Sequence, residues 1–238
     1  MTSSSTITLP QLTARFPIAH GQEYLVAAGG RAPKNTWLKA AAPNRHLWAV
    51  DRGLECILSA GLTPERLIGD GDSASPAAWK HAVASDIPVE KFPVEKDFTD
   101  TDLALQKIKA ENPSAFITLT GAFGGRFDHA FTTMYSFLGS GLAGCLADDR
   151  ECMFLLHGPA QLTVELHKHP LAVSLLPMTP EVTGVNISGV HWPLQNTTLQ
   201  QEKTLSVSNR LADGNSSCTV SLTQGKLGVY FVWDESAL

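Results

Sequence analysis

Two groups of aspartate residues stand out as side chains that could do chemistry. The first, Gly69-Asp70-Gly71-Asp72-Ser73, follows an apolar run, Arg66-Leu67-Ile68, that predicts a β-strand. Side chains two residues apart in an extended chain point to the same side, so Asp70 and Asp72 are expected to face one point. Two carboxylates that close repel each other unless a cation lies between them, and Mg²⁺ is a hard cation that prefers oxygen ligands. The spacing therefore indicates a divalent-cation site.

The second group, Lys96 to Asp102, lies where a predicted strand gives way to a predicted helix. It adds the carboxylates of Asp97, Asp100 and Asp102. The pair Thr99 and Asp102 also fits a capping box, in which a hydroxyl and an acid serve the helix N-terminus and bind no ligand. Asp102 alone is therefore open to both interpretations.

A glycine-rich loop, Gly121 to Gly125, follows another predicted strand and leads into a helix that begins near Phe127. Glycines at such a position let backbone N–H groups approach an anion, and Arg126 adds a planar donor suited to phosphate. The loop lacks the lysine of a P-loop and the spacing of a dinucleotide fingerprint. By itself it fits a turn as well as a phosphate site; beside the aspartates it indicates a metal–polyphosphate site.

Strands and helices alternate through the first half of the chain. The segments 24–28, 47–50, 67–68, 89–92 and 116–120 predict strands, and the segments 33–41, 54–60, 76–84, 100–110 and 127–138 predict helices. Such alternation is typical of a mostly parallel sheet covered by helices on both faces, with ligands beyond the C-terminal strand ends. Asp51, Asp70, Asp97 and Gly121 all follow strand ends, so we expect them to converge on one edge.

The second half of the chain predicts β-structure. Short apolar or alternating runs at 152–156, 161–166, 172–176, 182–187, 219–222 and 227–233 are separated by Gly, Pro, Asn and Asp. This pattern predicts a β-sandwich. We place the boundary near Gly139 to Asp149, which gives an α/β domain over residues 1–143 and a β-sandwich domain over residues 144–238.

Composition excludes several classes of protein. The net charge is −5 and there is no basic block, which argues against a nucleic-acid binder. The first residues lack the features of a secretory signal, and no apolar run approaches the about 20 residues of a membrane span. The four cysteines form no Cys-x-x-Cys pair, which indicates reduced, buried thiols and a cytoplasmic location.

Together these blocks resemble the thiamine pyrophosphokinase family. In the first half the resemblance rests on Gly69-Asp70-Gly71-Asp72-Ser73, Asp97-Phe98-Thr99-Asp100 and Gly124-Gly125-Arg126-Phe127-Asp128-His129, and on Asp51 within Ala49 to Gly53. In the second half it rests on four blocks in the family's order: Ser174 to Pro177, Val182 to Val185, Gly189 to Leu194 and Ser206 to Asn209.

The resemblance implies a homodimer with its active site between subunits, which transfers the pyrophosphoryl group of ATP to thiamine. It implies that Asp70, Asp72 and Asp100 are Mg²⁺ ligands and that Asp72, Asp100 and Arg126 are catalytic groups. The residues implied to bind ATP are Gly29, Gly30, Arg31, Asp51, Gly124, Gly125, Arg126 and Asp128. The residues implied to bind thiamine are Asp97, Thr99, Trp192, Ser206, Ser208 and Asn209. Asp128 would orient Arg126 or serve the helix start. Trp192, without the resemblance, would be assigned to the core.

Two positions depart from the family pattern: Gly71 replaces an aromatic residue, and Arg52 follows Asp51 where the family has glycine. Three other functions fit parts of the pattern. They are a pyrophosphokinase for a pterin-like alcohol, a non-catalytic thiamine- or nucleotide-binding regulator, and a metal-dependent nucleotide hydrolase.

Overall fold

The computed structural model describes most of the 238 residues, namely 4–69, 71, 75, 77, 80, 82, 84–85, 87–92 and 97–233. The chain divides into two compact units. We call residues 20–148 the α/β unit, and residues 1–19 together with 149–238 the β unit. Within the described ranges, no helix has the length and apolar character needed to cross a membrane.

The chain begins with a hairpin that belongs to the β unit. Strand β1 (Ser5–Leu9) pairs antiparallel with β2 (Leu12–Phe16), and β2 pairs onward with a strand from the second half of the chain. Alternating apolar residues on each strand, such as Ile7 and Ala14, are buried. The sequence analysis did not predict this hairpin, because each strand offers too few alternating residues to stand out in a Ser/Thr-rich start.

The α/β unit follows as strands and helices in alternation. Its elements are β3 (Glu23–Ala27), α1 (Asn35–Ala41), β4 (His46–Val50), α2 (Gly53–Ser59), β5 (Arg66–Gly69), β6 (Val89–Lys91), α3 (Asp100–Glu111), β7 (Phe116–Thr120), α4 (Phe127–Ser140) and β8 (Ala143–Ala147). The strands lie in the order β8-β7-β3-β4-β5-β6, and every neighbouring pair is parallel. The predicted parallel sheet is confirmed. Most of the helix predicted over 76–84 lies outside the described residues.

The strand order explains where the helices lie. Helix α1 packs against α2, and α3 packs against α4. The chain moves from β3 outward to β6 and then returns to β7 and β8 on the other side of β3. Because parallel crossovers are right-handed, this reversal places the two helix pairs on opposite faces of the sheet. The order reverses between β3 and β7, which is the topological switch point.

The β unit contains two antiparallel groups of strands. Its further strands are β9 (Glu151–His157), β10 (Ala160–Leu166), β11 (Ala172–Pro177), β12 (Glu181–Ser188), β13 (Leu194–Gln200), β14 (Ser217–Leu222) and β15 (Lys226–Val232). One group has the order β1-β2-β10-β14-β12-β13, and the other has the order β11-β15-β9. Phe16 of the first group lies edge-on to Phe154 of the second, with ring centroids 6.1 Å apart. The predicted sandwich layout is confirmed.

The two units divide the chain differently from the predicted domains 1–143 and 144–238. Strand β8 pairs with β7 and therefore belongs to the α/β unit, which ends at Asp148. Residues 1–19 group with the C-terminal half because β2 completes a sheet there. Neither feature has a local signal, since both depend on pairing between distant segments.

Candidate active site

The C-terminal ends of the parallel strands lie level with one another. Ala27 of β3 is paired in register with Ala49 of β4 and with Thr120 of β7, and Val50 is paired with Ile68. The residues that follow these ends are therefore brought to one edge. They include the predicted site residues Gly29, Gly30, Arg31, Asp51, Gly124 and Gly125.

Two glycine loops lie side by side at the switch point: the first contains Gly29 and Gly30 after β3, and the second is Gly121 to Gly125 after β7. The N–H of Gly30 donates to the carbonyl of Gly121 at 2.8 Å, and the N–H of Arg31 donates to the carbonyl of Phe123 at 2.7 Å. A Cβ on Gly30 would lie 2.4 Å from the Gly121 oxygen, closer than real Cβ contacts allow. Glycine at position 30 is thus required for the loops to touch, and two loops predicted separately form one backbone surface.

Arg31 is held by an acid that the sequence analysis missed. Its Nε and Nη2 both donate to Oδ2 of Asp148, at 3.0 and 2.6 Å, and the Asp148 side chain is only 1% exposed. The Arg31 guanidinium also lies over the ring of Phe123, 6.0 Å from its centroid. Asp148 follows β8, so a strand assignment for 143–147 would have placed it at the same edge. This strand was not predicted, because residues 143–147 lie within the segment to which the domain boundary was assigned.

The second loop presents Arg126 at the start of α4. Gly124 and Gly125 have φ of 70° and 69°, in the left-handed region that favours glycine. Asp128 accepts hydrogen bonds from Nε and Nη2 of Arg126, at 3.1 and 2.5 Å, and from its neighbour's backbone N–H. The hydrogen bond from Arg126 holds the pKa of Asp128 below its usual range. Asp128 therefore contacts both groups named for it, Arg126 and the helix start.

Asp51 lies against the strand that leads to the first aspartate pair. Its N–H donates to the carbonyl of Ile68 at 3.0 Å, and its φ is 47°. A Cβ on Gly69 would lie 1.9 Å from the Asp51 carboxylate oxygen, so the carboxylate directly contacts the residue before Asp70. Asp70, Asp72 and Ser73 lie outside the described residues. Gly71 between them has φ of 81°, which explains physically why glycine suits this position in place of an aromatic residue.

The second aspartate group divides into a cap and a buried acid. Thr99 caps α3: its hydroxyl accepts from the Asp102 N–H at 3.1 Å, and the Thr99 N–H donates to the Asp102 carboxylate at 3.0 Å. The capping box is confirmed. It engages the Thr99 side chain that we had expected to contact substrate. Asp100 is nine-tenths buried at the first helical residue, whereas Asp97 is exposed.

The donors at this edge are chemically suited to Mg²⁺. Asp51 and Asp100 supply carboxylate oxygens, the ligand type that this ion prefers. Among the residues that the structure describes, no three His, Cys, Asp or Glu side chains are grouped as a metal site. A complete set of predicted ligands would need Asp70 and Asp72, which fall outside that part of the chain.

The predicted acceptor residues of the β unit include an exposed tryptophan and a buried asparagine that contacts it. The Trp192 side chain is 58% exposed, which places it at the surface and not in the core. Asn209 is buried and forms hydrogen bonds with the backbone of Trp192. The hydroxyl of Ser206 donates to the carbonyl of Leu175 at 3.0 Å, and both Ser206 and Ser208 have positive φ, at 78° and 59°. The structure thus joins Asn209 to Trp192 and holds Ser206 and Ser208 against Leu175 and Ser174 of β11.

Two family models match this chain. The model of the thiamin pyrophosphokinase catalytic domain matches residues 38–141, and the model of the thiamin pyrophosphokinase vitamin B1 binding domain matches residues 161–227. The first range includes the aspartate groups and Arg126, and the second includes the residues around Trp192. Arg31 and Asp148 lie outside both ranges.

Relatives and solved structures agree with these matches. Thiamine pyrophosphokinase of Bacillus subtilis is 28% identical over 208 residues, covering 85% of this chain and 94% of that protein. The crystal structure of thiamin pyrophosphokinase from Geobacillus thermodenitrificans is 30% identical, with a TM-score of 0.75 over 91% of this chain and 100% of that one. The enzyme from Candida albicans, 15% identical with a TM-score of 0.72 over 90% of this chain and 89% of that one, shows the same fold.

These similarities span both halves of the chain and include a relative at 30% identity. The resemblance inferred from short sequence blocks is confirmed by them. The chain belongs to the thiamin pyrophosphokinase family.

Proposed function

We propose that this chain transfers the β,γ-pyrophosphoryl group of ATP to the hydroxyethyl oxygen of thiamine. The new bond joins that oxygen to the β-phosphorus, and the bond from the β-phosphorus to the α,β-bridging oxygen breaks. AMP leaves, the hydroxyl loses its proton, and thiamine diphosphate is formed. The observation that carries the proposal is the contact between the two glycine loops at the switch point. The carboxylate of Asp51 lies at the same edge of the sheet, and the chain belongs to this family.

The phosphate side of the reaction requires positioning and charge neutralisation. The loop residues Gly29, Gly30, Gly124 and Gly125, with Arg31 beside them, would bring backbone N–H groups close to the phosphates, and Arg126 supplies a guanidinium at the start of α4. Asp128 orients that guanidinium through its two hydrogen bonds. We assign these residues to the ATP phosphates.

The acidic residues form the metal side. We propose that Asp70, Asp72 and Asp100 hold Mg²⁺, with Asp51 against Gly69 as a neighbouring acid. When bound, the ion would neutralise phosphate charge and favour the leaving of AMP. Asp100, the first residue of α3, is buried, which restrains its side chain. Asp72 and Asp100 are also the acids that we assign to the catalytic step.

The acceptor side is assigned to the β unit. The thiazolium ring of thiamine is a cation, and an exposed aromatic face such as that of Trp192 attracts cations. Ser206 and Ser208 supply hydroxyl groups on backbone of positive φ, so their positions depend on the loop conformation. Asn209 supports Trp192 from beneath the surface.

We propose a homodimer, with acceptor residues and ATP residues supplied by different subunits. Helix α4 carries an exposed aromatic stripe in which the tilted rings of Phe127, Phe131 and Tyr135 contact one another in sequence, at centroid distances of 5.6 and 5.0 Å. Exposed apolar surface of this kind is typical of an interaction face. Light scattering tests this proposal: a monomer at assay concentration, with full activity, contradicts it.

The buried free thiols support a reducing, cytoplasmic location.

One assay tests the function. The protein is incubated with ATP and Mg²⁺ alone, with thiamine, or with a pterin-like alcohol, and the products are separated by chromatography. AMP that forms only with thiamine, together with thiamine diphosphate, supports the proposal. AMP without thiamine indicates a nucleotide hydrolase, transfer to a pterin-like alcohol in place of thiamine indicates the other pyrophosphokinase, and absence of AMP under every condition indicates a regulator.

A variant tests the metal side of the same assay. Asp72→Asn is expected to abolish nearly all AMP formation and to leave the circular dichroism spectrum unchanged. Near-normal turnover in this variant would overturn the assignment of Asp72.

A further inference from the structure

The pair formed by Asp148 and Arg31 lies at the functional edge of the sheet, and Asp148 has no role in the reaction described above. Both donors of Arg31, Nε and Nη2, contact the same carboxylate oxygen, which is a charge-assisted arrangement. The Asp148 side chain is buried, while the Arg31 side chain as a whole keeps 25% of its surface exposed. Desolvating a buried carboxylate costs free energy unless an opposite charge and hydrogen bonds compensate it, and Arg31 supplies both to Asp148.

Arg31 connects this acid to the second glycine loop. Its backbone N–H donates to the Phe123 carbonyl at 2.7 Å, and its guanidinium covers the Phe123 ring. On the other side, a Cβ on Gly124 would lie 2.9 Å from the Cβ of Arg31, so the side-chain stem lies directly against the loop. Backbone and side chain of Arg31 therefore both contact residues 123–124, which precede Arg126.

The three contacts place Arg31 between the ends of β3, β7 and β8. Arg31 follows β3, the loop follows β7, and Asp148 follows β8. A side chain held at its tip by Asp148 restrains the loop that its stem touches. Without the carboxylate, the guanidinium would lose both of these hydrogen bonds, and the loop would lose the restraint that they provide.

We propose that Asp148 is a positioning residue for ATP: by holding Arg31, it keeps the loop 121–125 in the conformation that receives the triphosphate. The proposal rests on the function assigned to this loop above. It predicts that loss of the Asp148 carboxylate weakens ATP binding and leaves thiamine binding unchanged.

The test is made on the full chain with Asp148→Asn, which conserves side-chain volume and removes the charge. The dissociation constant of a non-hydrolysable ATP analogue is measured by calorimetry, and KM for ATP and for thiamine by the product assay. We expect the analogue constant and KM for ATP to rise about tenfold or more, the effect of losing a charge-assisted hydrogen bond. KM for thiamine is expected to stay within about twofold, below the effect of one such bond.

A second variant keeps the test decisive if Asp148→Asn does not fold. Arg31→Lys conserves the charge but loses the forked contact, and it is expected to weaken analogue binding in the same direction. In the double variant the two effects should not add, because Asp148 acts through Arg31. Additive effects would show that Asp148 does not act through Arg31.

The matched control is Glu23→Gln. Glu23 pairs with the buried Arg45 at 2.8 Å at the opposite, N-terminal end of β3. Glu23→Gln removes an acid that is paired with an arginine of the same unit, as Asp148 is, and analogue binding should not change. Equal weakening in Glu23→Gln and Asp148→Asn, or no weakening in a folded Asp148→Asn, would overturn the proposal. If the proposed function is wrong, the unaltered protein forms no thiamine diphosphate. The binding constant of the ATP analogue still tests the role of Asp148 in that case, because its measurement needs no turnover.

Discussion

The side-chain amide of Asn209 forms hydrogen bonds with both backbone groups of Trp192. Its oxygen accepts from the Trp192 N–H at 3.2 Å, and its nitrogen donates to the Trp192 carbonyl at 2.8 Å. The oxygen also accepts from the N–H of Arg210 at 2.9 Å. Asn209 is buried, whereas the tryptophan ring is exposed. The amide thus fixes the backbone from which the ring projects.

Asn209→Ala is therefore expected to act on thiamine through Trp192. We expect KM for thiamine to rise and the free energy of unfolding to fall by about 1–3 kcal/mol, since buried backbone groups lose their partners. Trp192→Ala should raise KM for thiamine by about tenfold with little change in stability, because the ring is exposed. KM for ATP serves as the internal control, and a comparable rise in it would argue against an acceptor role.

The contact between the two glycine loops predicts a sharp effect at Gly30. A methyl group at this position would meet the Gly121 carbonyl oxygen at 2.4 Å and separate the loops. Gly30→Ala should weaken binding of an ATP analogue and lower the melting temperature. Gly139→Ala is the control: position 139 has no neighbour within 4 Å and lies in helix α4, so alanine should stabilise by about 0.5–1 kcal/mol. Unchanged analogue binding in Gly30→Ala would show that the loops do not bind ATP.

The capping box predicts that Thr99 contributes to stability. Thr99→Ala should lower the free energy of unfolding by about 1 kcal/mol, and Thr99→Ser should restore most of it, because serine also caps. We expect KM for thiamine to stay within about twofold in both variants, since the hydroxyl is engaged in the cap. Denaturant titration and the product assay measure the two effects. A large rise in KM without loss of stability would support the substrate contact first expected for Thr99.

The pair of Arg126 and Asp128 predicts a pH-independent contribution. The hydrogen bond from Arg126 lowers the pKa of Asp128, and the same bond raises the pKa of Arg126. Because the folded pKa of Asp128 lies below its unfolded value, the pair is complete above the ordinary aspartate range and is lost only as pH falls through the lower, folded value. The ratio of kcat/KM for ATP between the unaltered protein and Asp128→Asn should therefore be constant from about pH 5 to pH 9. A ratio that falls toward unity near pH 5 would contradict the shift.

The cysteines predict slow reaction with thiol reagents. All four are free and buried. Burial raises the pKa of the Cys56 thiol to about 11 and that of Cys218 to about 12, so neither forms the reactive thiolate near neutral pH. The folded protein should react slowly with an aromatic disulfide reagent, and the protein in guanidinium chloride should titrate all four thiols. Rapid reaction of a cysteine in the folded state would show that its thiol is accessible.

The sequence by itself determined the local elements and their chemistry. Buried parallel strands such as β4 appear as continuous apolar runs, here residues 47–50. The spacing of Thr99 and Asp102 predicts the start of a helix from local sequence alone. The strand–helix alternation then places Asp51 and the glycine loops at one edge, because parallel strands end together. The parallel sheet, the sandwich and the family were accessible in this way.

Only the tertiary structure decided which distant residues act together. Arg31 and Asp148 are 117 positions apart, and Trp192 and Asn209 are 17 apart. The hairpin at residues 5–16 joins the β unit by pairing with β10, more than half the chain away. Such contacts arise from strand order and register, which depend on burying apolar faces across the whole fold and not on any local pattern. For this reason Arg31 and Asn209 could be predicted as site residues from the sequence. That Asp148 holds Arg31, and that Asn209 holds Trp192, is visible only in the fold.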